Sequence, residues 1–162
     1  MTYVYTTMPS PVGELTLVAK DDALTAILWP NDRPGRVKLG PQSRNDNYPV
    51  LQETRKQLEE YFAGRRKKFD IRLQMEGTPF QQKVWQMLLA IPFGETRSYG
   101  QLAKEAGNPA ASRAVGAAIG RNPISIVAPC HRVVGSSGKL TGFAGGLDAK
   151  RDLLALEAKR NR

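Results

Sequence analysis

The chain contains very little cysteine and histidine: its 162 residues include one of each, and these are the neighbours Cys130 and His131. A single cysteine cannot form an internal disulfide, and one cysteine with one histidine cannot supply a Cys/His zinc site. We therefore expect no metal centre. Because structural disulfides are typical of secreted proteins, their exclusion favours a reducing, cytoplasmic location.

Long apolar runs are also lacking, and none approaches the roughly 20 residues that a membrane helix needs. We expect no membrane partner, and the first residues contain no basic segment with an apolar core of the kind found in export signals. A composition with 41% hydrophobic and 24% charged residues is typical of an ordinary globular protein. The length suits one compact domain or two small ones.

Acidic residues are scarce in the second half of the chain, where most of the formal charge of +9 lies. Residues 1–76 carry 12 basic and 10 acidic side chains, whereas residues 77–162 carry 12 basic and 5 acidic ones. The window 106–147 contains no Asp or Glu, but it holds Arg113, Arg121, Arg132 and Lys139. A surface with arginines and no carboxylates favours phosphate binding, and a basic surface that only maintains solubility is the alternative.

The first half has the pattern of strands followed by a helix. Side-chain alternation predicts strands near residues 3–7, 15–19 and 23–29, joined as an antiparallel hairpin or meander. The aperiodic segment from Pro30 to Pro49 predicts a long loop. Apolar spacing then predicts a helix over 51–62, ended by Gly64, and a short strand over 69–73.

The second half has the pattern of several short helices. Capping boxes at Thr78–Gln81 and Ser98–Gln101 predict helix starts, and Asn108-Pro109 predicts a further start for a helix that reaches Gly120. Two short helices around Gly107 form a helix-turn-helix pattern. We expect Asp148 to cap a final helix.

The helix predicted over residues 110–120 consists mostly of Ala, Gly and Ser, with Arg113 as its long polar residue. A helix with such small side chains is slim enough to press into a widened DNA minor groove, where one arginine could enter the base stack. Close packing against another helix also requires small residues and is the alternative.

The adjacency of Cys130 and His131 suggests an activated thiol, because a cysteine needs a nearby base to become a thiolate at neutral pH. Neighbouring side chains on a strand point to opposite faces, so the pair can cooperate only if Pro129 ends the strand or if a water bridges them. A third group must orient the imidazole. The acidic candidates in the second half are Glu95, Glu105, Asp148, Asp152 and Glu157.

The chain resembles the O6-alkylguanine-DNA alkyltransferases, which repair O6-methylguanine by moving the alkyl group to one of their own cysteines. The resemblance covers residues 78–157 and is carried by Pro129-Cys130-His131-Arg132-Val133 with Asn122-Pro123 before it. Further matching motifs are Ser98-Tyr99-Gly100-Gln101-Leu102-Ala103, Ser112-Arg113-Ala114-Val115-Gly116, Gly145-Gly146 and Leu153-Leu154 through Glu157. The first half resembles the family only in layout, including Tyr61-Phe62-Ala63-Gly64 at the helix end.

The resemblance implies an α+β fold of two domains. Residues 1–76 would form a supporting domain with a small antiparallel sheet and a helix in a ribonuclease H-like layout. Residues 77–162 would form a mainly helical, winged helix-turn-helix-like domain for DNA binding and alkyl transfer. The implied partner is double-stranded DNA that contains O6-alkylguanine, bound by a monomer, and cooperative assembly on DNA is left open. No cofactor is implied.

The resemblance also implies a role for each catalytic residue. Cys130 would accept the alkyl group in a single turnover, His131 would deprotonate it through a water, and Glu157 would hold the working tautomer of the imidazole. Asn122 would be the hinge between the recognition helix and an active-site strand. Tyr99 would protonate N3 of the departing guanine and help to rotate the nucleotide out of the duplex.

For the DNA contact, the resemblance implies that Arg113 takes the place of the flipped base while its helix lies in the minor groove. The implied DNA-binding residues are Ser98, Tyr99, Arg113, Ala114, Gly116, Ala117 and Arg121. The implied base pocket consists of Val133, Phe143, Ala144 and Gly145, with O4-alkylthymine as an expected second substrate. Phe143 and Ala144 stand where other members carry Tyr and Ser, so the pocket wall has fewer polar groups.

Three other functions remain as alternatives. A non-enzymatic binder of alkylated DNA would not need Cys130 in its Pro-Cys-His-Arg setting. A Cys-His-Glu hydrolase would use the same thiol activation, but it would leave the slim helix and the basic surface unexplained. A helix-turn-helix transcription regulator would bind DNA without a use for a reactive thiol.

Overall fold

A computed structural model describes residues 2–160 of the chain. Its first half contains β1 (Tyr3–Met8), β2 (Leu15–Lys20), β3 (Ala23–Leu28), β4 (Gln42–Arg44) and α1 (Pro49–Phe62). Its second half contains α2 (Pro79–Leu89), β5 (Arg97–Ser98), α3 (Tyr99–Glu105), α4 (Ser112–Gly120), β6 (Val133–Val134) and α5 (Leu147–Arg160). This arrangement confirms the predicted α+β fold, with a small sheet first and a mainly helical part after it.

The N-terminal sheet has the strand order β3-β2-β1-β4. The pairs β1–β2 and β2–β3 are antiparallel, as the alternation of side chains predicts. The prediction is wrong at the other edge, because β4 lies inside the segment expected to be a long loop and pairs parallel with β1. All three residues of β4 are exposed, so no alternation of buried and exposed positions marks this strand in the sequence.

Helix α1 packs on the sheet through a buried face that includes Leu51, Leu58 and Tyr61. Pro49 occupies its first turn, where the missing N–H costs no helical hydrogen bond. Gly64 follows the helix with a φ of +78°, a left-handed conformation that a residue with a side chain rarely adopts. The predicted start and end of this helix are therefore confirmed to within two residues.

The segment 69–73 does not form the predicted strand. It makes one isolated bridge, between Leu24 and Leu73. The Leu24 N–H donates to the Arg72 carbonyl, and the Leu24 carbonyl accepts from the N–H of Gln74, directly after the segment. Its apolar side chains pack against the core, so the alternating pattern reflects packing rather than a strand with a full hydrogen-bonded ladder.

Capping boxes begin α2 and α3, as predicted. The Thr78 hydroxyl accepts a hydrogen bond from the Gln81 backbone N–H, and the Gln81 side chain accepts one from the Thr78 N–H. Ser98 and Gln101 exchange the same two bonds at the start of α3. Each pair satisfies two backbone donors that the first turn of a helix leaves free.

The helix predicted from Asn108 to Gly120 is divided into two parts. Residues Pro109–Ala111 form a 3₁₀ turn, and α4 begins only at Ser112. The Asn108 side chain accepts a hydrogen bond from the N–H of Ala110, and this two-residue spacing closes a tight turn rather than capping an α-helix. The shorter α4 nevertheless keeps the small residues of the predicted helix.

The final helix, α5, begins one residue before its predicted cap. Asp148 lies in the first turn instead, where its charge interacts favourably with the helix dipole. The carbonyl of Gly146 accepts the hydrogen bond from the Lys150 N–H, so the glycine occupies the capping position.

The segment 122–132 does not contain the expected active-site strand. Its strand-like contact is an isolated bridge between Ile27 and Ile124, and Cys130–Arg132 form a 3₁₀ turn. Pro123 and Pro129 cannot donate the backbone hydrogen bonds of a ladder. After this turn, β6 pairs parallel with β5 to form a second, two-stranded sheet.

One hydrophobic core joins the two halves of the chain. Buried members from both halves include Leu17, Trp29, Leu58, Trp85, Leu102 and Val133. The segment that carries the cysteine therefore rests on the N-terminal sheet. Within residues 2–160, every helix is too short or too polar to cross a membrane.

Candidate active site

Cys130 lies at the start of the 3₁₀ turn Cys130–Arg132 and is only 5% exposed. Pro129 immediately precedes the turn, and its carbonyl accepts the hydrogen bond from the Arg132 N–H. A 3₁₀ helix has three residues per turn, so neighbouring side chains diverge by about 120° rather than pointing to opposite faces. The geometric obstacle that a strand would place between Cys130 and His131 is therefore absent.

His131 is completely buried and bonds to Glu157 through its Nε2 atom, at 2.6 Å from Oε2. Burial would raise the pKa of Glu157, but the hydrogen bonds and charges of His131 and Arg132 lower it to about 2. Burial lowers the pKa of His131, although Glu157 acts in the opposite direction. We therefore assign a neutral imidazole that donates from Nε2 to an ionised carboxylate, which leaves Nδ1 as a base.

The Nδ1 atom of His131 is buried and has no hydrogen-bond partner among the protein groups of residues 2–160. With Nε2 committed to Glu157, this atom carries the lone pair of the imidazole. The side chain is thus held in a fixed tautomer with its free basic nitrogen inside the site.

Two further side chains converge on the Glu157 carboxylate. Arg132 donates from Nε to Oε1 at 2.8 Å and from Nη2 to Oε2 at 3.0 Å, and the Tyr61 hydroxyl donates to Oε2 at 2.6 Å. In the sequence, Arg132 appears in the acid-free window and in the cysteine motif, and Tyr61 appears only in the layout of the first half, so neither is marked as a partner of Glu157. Both are missed members of the site, because an arginine in a basic segment and a tyrosine on an apolar helix face carry no signal of a buried carboxylate partner.

Asn122 shapes the backbone in front of the cysteine. Its side-chain amide donates to the Ala128 carbonyl at 2.8 Å and accepts from the Ile124 N–H at 3.1 Å. It directly follows Arg121, the residue that caps the end of α4, so it lies between this helix and the cysteine segment. It leads into a loop rather than the expected strand, because its own side chain satisfies the backbone groups that a strand would pair.

The Cys130 thiol has a mixed environment. Burial raises its pKa, whereas hydrogen bonds from Asn122 and Ser125 and the positive charges of Arg36 and Lys150 act in the opposite direction. The resting form is therefore a thiol, and the surrounding groups are those that stabilise a thiolate once the proton leaves.

Trp29, at the end of the N-terminal sheet, supports this environment from the other half of the chain. Its Nε1 donates to the Ser125 hydroxyl at 3.1 Å, and its ring meets Phe143 edge to face with centroids 5.3 Å apart. A Cβ on Gly145 would lie 2.6 Å from the same ring, so only glycine permits this approach. The predicted pocket residues Phe143 and Gly145 are thus positioned by a tryptophan that no sequence pattern singled out.

Arg36 provides a second connection between the halves. It is 6% exposed and pairs with Asp32 through two hydrogen bonds of 2.6 and 2.9 Å. It also donates to the backbone carbonyls of Gly120 and Asn122, at 3.2 and 2.8 Å. This buried guanidinium therefore connects the end of α4 to an N-terminal loop, and it too was missed.

The predicted DNA-binding residues fall into two groups. Arg113, Ala114 and Ala117 are exposed on α4, opposite a buried face that contains Val115 and Ile119. The half-buried Gly116 faces the Tyr99 ring at 3.9 Å from its Cβ position. The exposed side chains on this face of α4 are small apart from Arg113, and none of them is acidic.

The other residues predicted to contact DNA make hydrogen bonds within the protein. The Ser98 hydroxyl caps α3, and the Arg121 guanidinium donates to the carbonyls of Gly35 and Arg36 at 3.3 and 3.4 Å. The half-buried Tyr99 hydroxyl lies 2.8 Å from the Thr141 hydroxyl. Thr141 is another member of this site that sequence reasoning missed.

Two family models match the chain. Residues 3–75 match the ribonuclease-like domain of 6-O-methylguanine DNA methyltransferase, and residues 79–159 match the DNA binding domain of the same family.

Individual relatives match nearly the whole chain. The Methylated-DNA--protein-cysteine methyltransferase of Methanosarcina acetivorans is 50% identical over 154 residues, which cover 94% of this chain and 97% of the relative. Its counterpart from Mycolicibacterium paratuberculosis is 48% identical over 157 residues, covering 97% and 93%. The crystal structure of Mycobacterium tuberculosis OGT in complex with DNA superposes with a TM-score of 0.88 at 46% identity, covering 99% of this chain and 94% of that one.

We predict that Glu157→Gln destabilises the protein in a pH-dependent way. Since the pKa of Glu157 is about 2 in the folded state against an ordinary value of 4.5, its ionised form contributes about 3 kcal/mol above pH 4.5. This contribution disappears as the pH falls from 4.5 towards 2. Urea unfolding at pH 7 should show a loss of about this size, and the wild type and the variant should converge in acid.

Glu105→Gln is the matched control, because Glu105 is exposed and its charge contributes little. An unchanged urea midpoint for Glu157→Gln at pH 7 would contradict the assignment of Glu157 as the central buried acceptor.

Proposed function

The chain belongs to the 6-O-methylguanine DNA methyltransferase family, and from this premise we propose that it repairs DNA by moving the alkyl group of O6-alkylguanine onto Cys130. The observation that carries the proposal is a buried thiol beside a neutral imidazole that an ionised carboxylate holds in place. A protein that only binds DNA does not need an activated thiol. The names of the relatives and the DNA complex of the M. tuberculosis protein support the same activity.

The proposed reaction is a displacement at the alkyl carbon. The Nδ1 atom of His131 takes the thiol proton of Cys130 through a water molecule, and the thiolate attacks the carbon bonded to O6 of guanine. A sulfur–carbon bond forms as the carbon–oxygen bond breaks, and its electron pair goes to the guanine. The Tyr99 hydroxyl gives a proton to guanine N3, so the base leaves neutral.

The product at Cys130 is a thioether, which lies outside the oxidation states of cysteine that cells reverse. Each protein molecule therefore repairs one base in a single turnover. The protein contributes the position of the extruded nucleotide, the imidazole that removes the thiol proton and the proton for the leaving group.

We propose that α4 enters the minor groove with its small exposed face. Its exposed alanines are compatible with a groove about 6 Å wide that the helix must widen, and Arg113 extends from this face to replace the extruded base. The extrusion is necessary because an alkyl carbon inside the duplex cannot be reached by a buried thiol. Ser98, Gly116 and Arg121 complete the proposed contact surface.

The proposed pocket for the extruded base lies between the cysteine turn and the loop before α5. The backbone of Cys130, Val133 and Ala144 holds the base, and Phe143 and Gly145 form the wall that packs on Trp29. O4-alkylthymine is the proposed second substrate. Residues 77–162 carry DNA binding and transfer, and residues 1–76 support the site through Trp29 and Tyr61.

The first test identifies the acceptor atom. After incubation with duplex DNA that contains O6-methylguanine, mass spectrometry of a digest should find one added methyl group on the peptide with Cys130. Cys130→Ser should abolish the transfer and bind the same DNA with an unchanged Kd, because only the nucleophile is lost. A methyl group elsewhere, or none, would refute the proposed reaction.

The second test separates base extrusion from chemistry. Arg113→Ala should slow repair of duplex DNA by about ten- to hundredfold, because extrusion costs a few kcal/mol. The rate with a free O6-alkylguanine base should change by less than about twofold, since no extrusion is required. Equal slowing of both reactions would remove Arg113 from this role.

The third test uses pH. Burial raises the pKa of Cys130 and lowers that of His131, so the thiol and the neutral imidazole coexist at pH 7. The transfer rate from a free O6-alkylguanine base should change little between about pH 7 and about pH 8.5, because the imidazole is neutral and the thiol protonated throughout, and His131 rather than hydroxide takes the thiol proton. It should remain measurable somewhat below pH 6.5, where an ordinary histidine is protonated. A rate that rises about tenfold per pH unit over the alkaline part of this range would contradict His131 as the base that removes the thiol proton.

A further inference from the structure

Ser125 is a fully buried serine close to the thiol, and the proposed reaction does not use its hydroxyl. Its exposed fraction is 0%, and its oxygen accepts a hydrogen bond from Trp29 Nε1 at 3.1 Å. Within residues 2–160, the Ser125 hydroxyl donates to no oxygen or nitrogen atom of the protein. A buried hydroxyl proton without an acceptor is costly, so this proton requires a partner of another kind.

The sulfur of Cys130 is that partner. A hydrogen bond from Ser125 lowers the pKa of the Cys130 thiol, in opposition to the burial that raises it. The segment between the two residues folds back on itself, because the Ala128 N–H donates to the Ile124 carbonyl at 2.9 Å and the Cys130 N–H to the Ala128 carbonyl at 2.8 Å.

Ile126 makes this fold of the segment possible at a conformational cost. Its φ of +75° lies in the left-handed region, which a β-branched residue rarely adopts. Backbone strain of this kind persists only where surrounding contacts impose it, and it is concentrated at functional sites. Here it accompanies the turn that brings Ser125 back to Cys130.

Trp29 determines the direction in which the Ser125 hydroxyl donates. An indole N–H can only donate, so the serine oxygen is the acceptor and its own proton must point away from Trp29. A hydroxyl that accepts one hydrogen bond also becomes a stronger donor of the next, because the two bonds polarise each other. The proton of Ser125 is therefore directed to the sulfur.

The indole of Trp29 is held in this orientation by its neighbours. It is 4% exposed, and its ring meets Phe143 edge to face and fills the space that a Cβ on Gly145 would need. Its backbone N–H donates to the Asp32 carboxylate at 3.2 Å. Because Trp29 directly follows β3, this fixed donor comes from the half of the chain that does not carry the cysteine.

We propose that Ser125 and Trp29 form a donor pair that stabilises the thiolate of Cys130, with Ser125 bonded to the sulfur and Trp29 as the positioning residue behind it. This inference rests on the proposed function, in which the thiolate is the nucleophile. No proton moves along the pair, since the hydroxyl and the indole both keep theirs. The hydrogen bond strengthens when the sulfur becomes negative and weakens again in the neutral thioether.

Cys130 is the only cysteine of the chain, so labelling of the folded protein with iodoacetamide reports on this thiol alone. The labelling rate at about pH 7.5 is proportional to the fraction of Cys130 that is ionised. Ser125→Ala should lower this rate by about three- to tenfold, because a hydrogen bond to a charged group is lost while the higher nucleophilicity of the remaining thiolate offsets part of the loss. Trp29→Phe should lower it by about two- to threefold, since the hydroxyl remains but is no longer oriented.

A double-mutant cycle separates the donor pair from a change in the shape of the pocket. A wider pocket after Trp29→Phe changes the access of iodoacetamide in the wild-type and Ser125→Ala backgrounds alike. The loss caused by the missing indole N–H should appear only where the serine is present. Trp29→Phe should therefore lower the rate by about two- to threefold less in the Ser125→Ala background than in the wild type.

Trp85→Phe is the matched control. Trp85 is also buried, and its Nε1 donates to the Ala118 carbonyl at 2.9 Å rather than to a group at the thiol. This variant should be labelled at the wild-type rate. Urea unfolding followed by far-UV circular dichroism identifies the folded variants, and either end of the pair can be removed to test the loss.

Two outcomes would overturn the donor pair: a folded Ser125→Ala protein that is labelled at least as fast as the wild type, or an effect of Trp29→Phe that is the same in both backgrounds. The transfer rates from a free O6-alkylguanine base should follow the same order as the labelling rates. A wild type that transfers no methyl group to Cys130, although the labelling rates keep the expected order, would refute the proposed function and support the donor pair. The two failures are therefore distinguishable.

Discussion

The buried carboxylate of Glu157 is the interaction on which the candidate site depends. It accepts hydrogen bonds from Tyr61, His131 and Arg132, which come from α1 and from the cysteine turn. An acceptor with three strong donors remains ionised inside the core. This ionisation fixes the tautomer of His131, and the same contacts attach the helix that carries Glu157 to the rest of the protein.

Charges of opposite sign act on the two reactive residues of the site, His131 and Cys130. Glu157 is the anion behind His131, whereas Arg36 and Lys150 supply positive charge on the side of Cys130. The lack of Asp and Glu in the window 106–147 therefore affects the interior of the protein as well as its surface. No carboxylate from this window can disfavour the thiolate form of Cys130 by charge repulsion. A neutral thiol at rest and a stabilised thiolate during reaction are compatible in this arrangement.

Features predicted correctly are those that nearby residues determine. The capping boxes at Thr78 and Ser98 involve partners three residues away, so the sequence shows both halves of each interaction. Strand β4 was missed because its pairing with β1 depends on distant backbone and leaves its side chains exposed. The break before α4 was missed because the bond from Ala110 to the Asn108 side chain competes with a helical start.

Composition and local spacing were enough to indicate strands followed by helices, the adjacent cysteine and histidine, and the small-residue helix with its arginine, whereas the two-domain fold was implied by the family resemblance. The side chains that complete the site could be identified only from contacts made in the folded chain. Tyr61, Trp29 and Thr141 lie 69, 101 and 11 positions from Cys130 in the printed sequence, yet each bonds to or packs on a site residue. Their roles depend on partners that come into contact only when the chain folds. Contacts between positions distant in sequence produce no periodic pattern in the sequence, so sequence analysis cannot detect them.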